Sequence, residues 1–302
     1  MKIILLGTSG SIPTATRSLP AVAVRREKEL LLFDCGEGTQ VQMTRAGLSP
    51  LKISSIFITH LHGDHFLGLA GLIQTMALLG RSTPLRIYCP LEDRERLWEY
   101  IKIPRYSLTF DVSVGGLRDG GEIEMRGYRI LARRALHPVP SLAYALVEDK
   151  RPGRFYPDKA ESLGVRPGPD FSKLQAGEIV RVGNRVVRPE DVMGPPRSGR
   201  KIVYTGDTRP CDEIVKLASG ANVLIHDSTF SDDLRDKAAE NSHSTSREAA
   251  ETAREARAEL LVLFHISPRY TDTSQLLKDA AAVFENVTAP SDLDEINIPL
   301  RR

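Results

Sequence analysis

Three histidines and an aspartate directly follow a short apolar run in the stretch SSIFITHLHGDHFLGLAGL, residues 54–72. The run SIFIT, 55–59, is rich in β-branched and aromatic residues and predicts a strand. His60 and His62 are two positions apart, so they point to the same side if the backbone stays extended. Asp64 and His65 follow on the turn into a predicted helix. Three of the chain's seven histidines lie in this stretch. We therefore expect a fold in which ligands from other parts of the chain meet the end of this strand.

The rest of the chain alternates between strand-like and helix-like patterns, which favours an α/β class with enough strands for two sheets. Predicted strands cover 2–6, 21–24, 30–33, 55–59, 85–88, 108–114, 129–136, 142–147, 201–205, 222–225 and 260–264. Predicted helices cover 37–46, 66–79, 91–101, 211–218, 246–258 and 273–284. In STSRE, Thr245 as N-cap and Glu248 as its N3 partner predict a capping box at the start of the fifth helix.

Composition describes an ordinary globular chain of 302 residues with a net charge of +2, long enough for one large domain or two modest ones. The apolar stretch near the start, IILL, is far shorter than a secretory or membrane-spanning segment. We therefore expect a cytoplasmic protein with no membrane association. Cys35, Cys89 and Cys211 are widely spaced, which favours buried, reduced thiols over disulfides or a thiolate zinc site.

Residues 151–199 break the pattern with seven of the nineteen prolines and seven glycines. Residues 150–200 carry eleven Lys/Arg against six Asp/Glu, so the basic character of the chain is local. Phe155, Tyr156 and Phe171 lie among the arginines. The segment is either a solvated linker or surface insertion, or a nucleic-acid-binding arm whose cations bind phosphates and whose aromatics stack on bases.

The histidine cluster divides naturally into a His60/His62 pair and an Asp64/His65 pair, since four such side chains would crowd a single ion. Further ligands follow other predicted strands, because ligands gather beyond the carboxyl ends of strands in α/β sheets. His137, Asp207 and His265 hold these positions. We assign His60, His62 and His137 to one ion and Asp64, His65 and His265 to a second. Asp207 is the expected bridge, because a carboxylate offers two oxygens.

Nitrogen and oxygen ligands without sulfur fit catalytic zinc, so we expect two Zn²⁺ per subunit, with Mn²⁺ or Fe²⁺ as alternatives. Such a pair of ions activates water and stabilises the charge of a phosphoryl transition state. Asp64 is the candidate to orient or deprotonate the attacking water.

The histidine motif THLHGDH resembles the H-x-H-x-D-H signature of the metallo-β-lactamase superfamily. Other motifs narrow the resemblance to the ribonuclease Z family of tRNA 3'-processing endonucleases: LLGTSGSIPTATRSLPAVAV at the start, LLFDCGEGTQVQ, VYTGDTRP, LIHDSTF, NSHST and FHISPRY. The resemblance implies an αββα four-layer sandwich, a dinuclear zinc site and a homodimer. It makes residues 1–302 a single metallo-β-lactamase-fold domain with 151–199 as an inserted arm, or exosite.

The resemblance also implies a substrate, precursor tRNA, and roles beyond metal binding. The arm, with RPGPDFSKL at 166–174, would clamp the tRNA body. His243 in NSHST would donate the proton to the leaving 3' oxygen. Asp227 replaces the usual glutamate of its motif, and we expect it either to orient His243 or to make a structural hydrogen bond. The loop PTATRS, 13–18, lacks the Lys and Asn that relatives use at the tRNA 3' end, which puts discrimination against CCA in doubt.

Two other functions share part of this pattern. A general metal-dependent phosphodiesterase of small substrates would use the same ligands without needing a basic arm. An RNA-binding protein with structural zinc would need only a closed tetrahedral site, whereas this chain supplies ligands for two ions.

Overall fold

The computed structural model describes residues 1–300, which fold into two compact units. The first comprises Met1–Val147 and Lys201–Pro299, and the second comprises Glu148–Arg200. The predicted arm, residues 151–199, lies within the second unit.

The strands within residues 1–300 are β1 (Lys2–Gly7), β2 (Ala21–Arg26), β3 (Glu29–Phe33), β4 (Ile53–Phe57), β5 (Leu85–Pro90), β6 (Val112–Leu117), β7 (Glu122–Met125), β8 (Tyr128–Arg134), β9 (Leu142–Glu148), β10 (Val180–Val182), β11 (Arg185–Val187), β12 (Lys201–Tyr204), β13 (Val223–Asp227), β14 (Leu261–Phe264), β15 (Val287–Thr288) and β16 (Glu295–Asn297). The α-helices are α1 (Thr39–Arg45), α2 (Gly63–Phe66), α3 (Leu69–Leu78), α4 (Arg94–Lys102), α5 (Pro157–Ser162), α6 (Pro169–Gln175), α7 (Pro189–Val192), α8 (Asp212–Ala218), α9 (Arg235–Glu240), α10 (Ser246–Glu255) and α11 (Ser274–Ala281). Short 3₁₀ turns cover Pro50–Lys52, Leu91–Asp93 and Asp232–Leu234.

The first unit contains two seven-stranded sheets, in the orders β16-β1-β2-β3-β4-β5-β6 and β15-β14-β13-β12-β9-β8-β7. Strands β3 to β6 run parallel, as do β12 to β15. Because the carboxyl ends of parallel strands meet at one edge, each sheet presents several loops along such an edge.

Alternating burial along the strands produces four layers. In β1, Ile3 and Leu5 belong to the core between the sheets, whereas Ile4 and Leu6 pack with the helices outside. The inter-sheet core is aromatic at its centre, where Phe57 and Tyr144 have ring centroids 5.5 Å apart. Helices α1, α3 and α4 cover the first sheet, and α8, α10 and α11 cover the second. The predicted αββα sandwich is therefore confirmed.

Several predicted boundaries were wrong. The strand predicted over 55–59 ends at Phe57, because the amide of Thr59 donates to Asp34 Oδ1 and its carbonyl accepts from the amide of Leu142 in the second sheet. The strand predicted over 108–114 begins only at Val112. The helix predicted over 66–79 starts at Leu69, since the amide of Gly68 donates to the carbonyl of Cys35 (2.9 Å) and interrupts the helical ladder.

The second unit has its own small core. Short helices α5, α6 and α7 and the β10–β11 hairpin enclose six buried apolar side chains: Ala160, Val165, Leu174, Val180, Val187 and Val192. Phe155 and Phe171 pack against this core and contact each other, with ring centroids 4.9 Å apart. Both rings are only partly buried, so stacking on bases stays a prediction for their exposed faces. A segment with a core of this kind is not a solvated linker.

Across residues 1–300, no helix is both long and apolar enough to cross a membrane.

Candidate metal centre

The first predicted cluster forms where β4, β8 and β12 end. Ligand atoms of His60, His62, His137 and Asp207 all lie within 4.8 Å of one another. His62 Nδ1 lies 3.2 Å from His137 Nε2, and the ring of His60 is 4.7 Å from that of His62. His60 and His62 lie in the loop after β4, which ends at Phe57. Their proximity therefore does not come from the extended backbone of a strand.

The second cluster joins α2 to the end of β14. Ligand atoms of Asp64, His65 and His265 also lie within 4.8 Å of one another. His265 Nε2 is 3.4 Å from His65 Nε2 and 3.3 Å from Asp64 Oδ2. His265 has a φ of 59°, a left-handed conformation uncommon for a residue with a side chain, and this turn immediately follows the strand.

Asp207 lies between the clusters and faces both. Its Oδ2 is 3.5 Å from His60 Nε2, and its Oδ1 is 3.3 Å from both His65 Nε2 and His265 Nε2. The turn before it requires a glycine: Gly206 has a φ of 58°, and a Cβ there would lie 2.7 Å from the Cβ of Thr59. This carboxylate thus has oxygens within 3.5 Å of histidines of both clusters.

Two buried polar atoms at the centre of the site show that a cation fits it. Within residues 1–300, His60 Nε2 and Asp207 Oδ1 are buried and have no hydrogen-bond partner, which is unusual for buried polar groups. Burial, together with His65, lowers the pKa of His60 well below its usual value, so its ring is neutral and able to ligate. The remaining donors are imidazole nitrogens and carboxylate oxygens, the set that zinc accepts in catalytic sites.

His65 is oriented by a carboxylate that the sequence analysis did not assign. Its Nδ1 lies 2.7 Å from Asp34 Oδ2, which leaves Nε2 facing the cluster. Burial opposes protonation of His65, but Asp207 and Asp34 raise its pKa well above the usual value. A cation at Nε2 would replace a proton there. Asp34 is fully buried and follows β3, so its position after a strand was the signal that could have identified it.

Asp34 also supports His60 through a hydroxyl. Thr59 donates from Oγ1 to Asp34 Oδ2 (2.9 Å), and His60 Nδ1 lies 3.0 Å from the same Oγ1. The hydroxyl of Tyr204 donates to Asp34 Oδ2 as well, at 2.7 Å. Hydrogen bonds of this kind fix the tautomer and ring orientation of a metal-binding histidine.

Asp227, the last residue of β13, supports histidines from the second sheet as Asp34 does from the first. Its Oδ1 accepts a hydrogen bond from Thr229 Oγ1 (2.7 Å), and that hydroxyl lies 2.8 Å from His265 Nδ1. Its Oδ2 lies 2.8 Å from His243 Nδ1. Asp227 therefore contacts His243 directly and His265 through Thr229, a link that sequence analysis missed because it depends on the turn after β13.

His243 stands beside the clusters, with Asp207 and His265 as neighbours. Burial lowers its pKa, but the Asp227 carboxylate, the hydrogen bond to it and the charge of Asp207 together raise the pKa to about 9. The ring is therefore protonated near neutral pH and can donate from Nε2.

The loop that carries His243 is held at both ends. The predicted capping box is confirmed: Thr245 Oγ1 accepts from the Glu248 amide (3.2 Å), and Glu248 Oε2 accepts from the Thr245 amide (2.9 Å). Arg209 binds both oxygens of Glu248 and donates to the carbonyl of His243 at 2.6 Å. On the other side, His137 Nδ1 lies 3.2 Å from the Ser242 carbonyl.

The loop after β1 supports the second cluster. The amide of Ser11 donates to Asp64 Oδ2 (2.8 Å), and Gly10 lies so close to His265 that a Cβ would be 2.5 Å from its Nδ1. Asp292 fixes this loop by accepting bonds from Thr8 and Ser18. Arg17, in the segment predicted to handle the tRNA 3' end, donates instead to Thr8 Oγ1 and the Pro290 carbonyl.

His226 is the one histidine outside these clusters. It is fully buried, and its Nδ1 lies 2.7 Å from the Asp227 carbonyl.

Comparison with known proteins identifies the family. A family model described as Anti-Pycsar protein Apyc1 matches residues 1–103, and one described as a Beta-lactamase superfamily domain matches residues 192–266. The chain is 50% identical over 302 residues to a protein of Methanosarcina acetivorans named Ribonuclease Z, covering 100% of this chain and 99% of that one. It is 46% identical over 304 residues to a Ribonuclease Z of Myxococcus xanthus, with 100% and 99% coverage.

Solved structures agree with these relatives. The human tRNase Z short form superposes with a TM-score of 0.74 at 31% identity, covering 99% of this chain and 100% of that one. A metallo-β-lactamase fold protein of Bacillus subtilis superposes with a TM-score of 0.72 at 19% identity, covering 98% of each chain, and confirms the predicted fold alone. Identity of 46% to 50% with the two relatives named Ribonuclease Z, along the whole length, shows that the chain belongs to the ribonuclease Z family.

Proposed function

We propose that this protein is a metal-dependent endoribonuclease that removes the 3' trailer from precursor tRNA and leaves a 3'-hydroxyl on the tRNA. The observation that carries the proposal is the carboxylate of Asp207 between two His/Asp clusters, an arrangement that suits hydrolysis of a phosphodiester. The full-length relatives named Ribonuclease Z support the choice of substrate.

The metal ligands are proposed from the two clusters. His60, His62 and His137 would hold one ion, Asp64, His65 and His265 a second, and Asp207 both. Zinc is the proposed metal at both positions, and Mn²⁺ and Fe²⁺ are the alternatives for the same donors. When bound, such ions supply an activated water and neutralise charge on the phosphoryl oxygens.

The chain's own residues would carry the proton transfers. A water oxygen bonds to phosphorus while the bond from phosphorus to the 3' oxygen of the tRNA breaks. Asp64, held by the Ser11 amide, is the proposed group that orients the water and accepts its proton. His243 donates its Nε2 proton to the departing oxygen, and Asp227 stabilises its protonated form and keeps the ring oriented.

The second unit is the proposed tRNA-binding arm. Residues 150–200 have an excess of five positive charges, eleven Lys/Arg against six Asp/Glu, and phosphate contacts from such residues supply affinity without reading sequence. Within this unit, the ammonium of Lys159 lies over the ring of Tyr156, with Nζ 4.8 Å from the ring centroid.

We also propose a homodimer and a cytoplasmic location. Leu78 in α3 is 81% exposed, and Val41, Leu67, Leu79 and Ile103 on or beside the same helical layer are exposed as well. Exposed apolar side chains are a common feature of subunit interfaces. Three free cysteines fit a reducing compartment. Sedimentation of Leu78→Glu beside the unchanged protein tests the interface.

The test of function is incubation of the zinc-loaded protein with a 3'-extended precursor tRNA and mapping of the cut to the nucleotide. We expect one cut at the tRNA 3' end, a 3'-hydroxyl on the tRNA and a 5'-phosphate on the trailer. His226→Gln is a matched histidine control outside the clusters and should cut at the same position. Turnover of bis(p-nitrophenyl) phosphate with no cleavage of the precursor would instead support a small-substrate phosphodiesterase, and binding without any turnover would support an RNA-binding protein.

A further inference from the structure

A cavity of about 520 Å³ opens beside the first cluster and shares His137 with it. Its walls come from the ends of β5, β6 and β8 and from the loop that leads into β9, all within the first unit. The volume lies in the range of about 300 to 1,000 Å³ that is usual for small-ligand sites. The chemistry proposed above uses only the His137 edge of this space, which we call the His137 cavity.

Two arginines that line the His137 cavity have guanidinium groups available to a ligand. Arg118 and Arg134 are exposed, and neither guanidinium forms a salt bridge with another side chain in the described part of the chain, residues 1–300. The nearby carboxylate of Asp119 already accepts a hydrogen bond from the Arg134 amide at 2.9 Å. Guanidinium groups placed this way suit a phosphate, which they bind with paired hydrogen bonds.

A buried hydroxyl in the same wall lacks a partner. Ser141 lines the His137 cavity and is only 5% exposed, yet its Oγ has no hydrogen bond to any group in residues 1–300. Buried hydroxyls are normally satisfied, because an unmet one costs about 1 to 3 kcal/mol. Because Ser141 lines the cavity, its unmet Oγ is a candidate partner for a ligand atom there.

The remaining lining suits a base and a ribose. Leu117, Pro138 and Val139 supply an apolar wall, and Glu92 supplies an acceptor that a ribose 2'-hydroxyl can use. Cations, an unmet hydroxyl, an apolar wall and an acceptor together describe a site for one ribonucleotide with its phosphate.

We propose that the His137 cavity binds the nucleotide adjacent to the scissile phosphodiester, with Arg118 and Arg134 on its phosphate and Ser141 as a hydrogen-bond donor. The inference rests on the proposed nuclease function and adds a subsite to it. The nucleotide belongs either to the trailer or to the tRNA end, and both present the same phosphate and ribose.

The first experiment measures RNA binding by the zinc-loaded protein with His243→Ala, which blocks turnover. Adding Arg118→Ala and Arg134→Ala should weaken binding of a fluorescein-labelled oligouridylate at least tenfold. The logarithm of the association constant falls as the logarithm of the salt concentration rises, and this dependence should become less steep by about 1.4. Each lost phosphate contact to a single strand contributes about 0.7 to the slope. Arg25→Ala with Lys52→Ala is the matched control: it removes two exposed cations beside a cavity of about 430 Å³ at the start of β3 and β4, and should change neither quantity.

Two RNA substrates then identify the source of the nucleotide. If the double variant loses affinity for a 3'-extended precursor but not for the trailerless tRNA, the nucleotide is from the trailer; equal loss for both places it on the tRNA. Unchanged oligouridylate binding, or an equal loss in the Arg25/Lys52 control, would overturn the subsite. Absence of precursor cleavage by the unchanged protein would refute the nuclease function, while the oligouridylate measurement would still decide the subsite.

Ser141→Ala provides an independent readout. Removing an unmet buried hydroxyl should leave the thermal midpoint unchanged or raise it, and should raise the KM for precursor tRNA several-fold with a smaller effect on kcat. A lower thermal midpoint would show that the hydroxyl serves the fold, and an unchanged KM would show that it does not meet the substrate. Either result removes Ser141 from the subsite.

Discussion

His243 Nδ1 lies 2.8 Å from Asp227 Oδ2, so a buried carboxylate stabilises the positive charge of the proposed general acid. In the metal-free protein, the His243 ring should titrate near pH 9, well above its usual pKa of about 6.5. Asp227→Asn should move this titration down towards the usual value. NMR of the His243 ring protons as a function of pH, with EDTA present, measures this pKa in the unchanged protein and in Asp227→Asn. Titration near the usual value in the unchanged protein would contradict the pairing.

The pair also stabilises the metal-free fold in a defined pH window. Because the pKa of His243 is raised on folding, its contribution is complete below about pH 6.5 and is lost as pH rises to about 9. Urea unfolding of Asp227→Asn should therefore differ from the unchanged protein more at pH 6 than at pH 9.5. In cleavage assays the same variant should lower kcat for precursor tRNA by about 10² to 10⁴, the usual contribution of a positioned acid.

The position of Asp207 predicts how metal content responds to substitution. His137→Ala should leave about one ion per chain, since the Asp64, His65 and His265 set is intact, whereas Asp207→Ala should lose both. His226→Gln should retain both ions. Elemental analysis after gel filtration counts the metal. Two ions in Asp207→Ala would show that this carboxylate is not a shared ligand.

Thr245 should contribute to stability through its cap. Thr245→Ala removes the hydrogen bond accepted from the Glu248 amide and should lower the free energy of unfolding by about 0.5 to 2 kcal/mol. Thr273→Ala is the matched control, because Thr273 occupies the N-cap of α11 without a side-chain bond to that helix. Chemical denaturation of both variants measures the difference, and equal losses would contradict the capping role.

Deletion of the proposed arm should separate RNA affinity from chemistry. Glu148 and Arg200 form a bidentate ion pair, and the amide of Glu148 donates to the Arg200 carbonyl, so the ends of the segment lie together. A short Gly/Ser linker can therefore replace residues 151–199. Cleavage of precursor tRNA should fall at least 100-fold in kcat/KM, while hydrolysis of bis(p-nitrophenyl) phosphate persists. Equal losses on the two substrates would refute the arm as an RNA-binding element.

The three thiols should differ in reactivity. Burial raises the pKa of Cys35 and of Cys89 to about 12, so neither forms a thiolate at pH 8. Cys211 is partly exposed. A disulfide reagent should therefore label one thiol per native chain and three after unfolding, and rapid labelling of Cys35 in the native protein would contradict its burial.

Sequence patterns predicted which side chains meet in the two clusters, because the residue types that can hold a metal are few and these lie at strand ends. His137 and His265 were identifiable once the cluster at 60–65 was recognised. Arg209 and Asp292 were not, because ordinary carboxylates and guanidiniums acquire their roles only from tertiary contacts.

The same limit applies to secondary structure. Strand β7 was missed because EIEM alternates glutamates with apolar residues and lies partly exposed at a sheet edge, and β15 and β16 are too short to leave a pattern. The core of the second unit was missed because its six apolar residues are dispersed among prolines and glycines.

His65 and His265 face each other across 3.4 Å although two hundred positions separate them in the chain. The second proposed cation position therefore depends on the docking of the two sheets, and it cannot form on a nascent polypeptide that has not yet been translated past β14. A shorter ribosome-bound fragment would hold the ligands of the first cluster alone, so hydrolysis that needs two ions would begin only after β14 joins the sandwich.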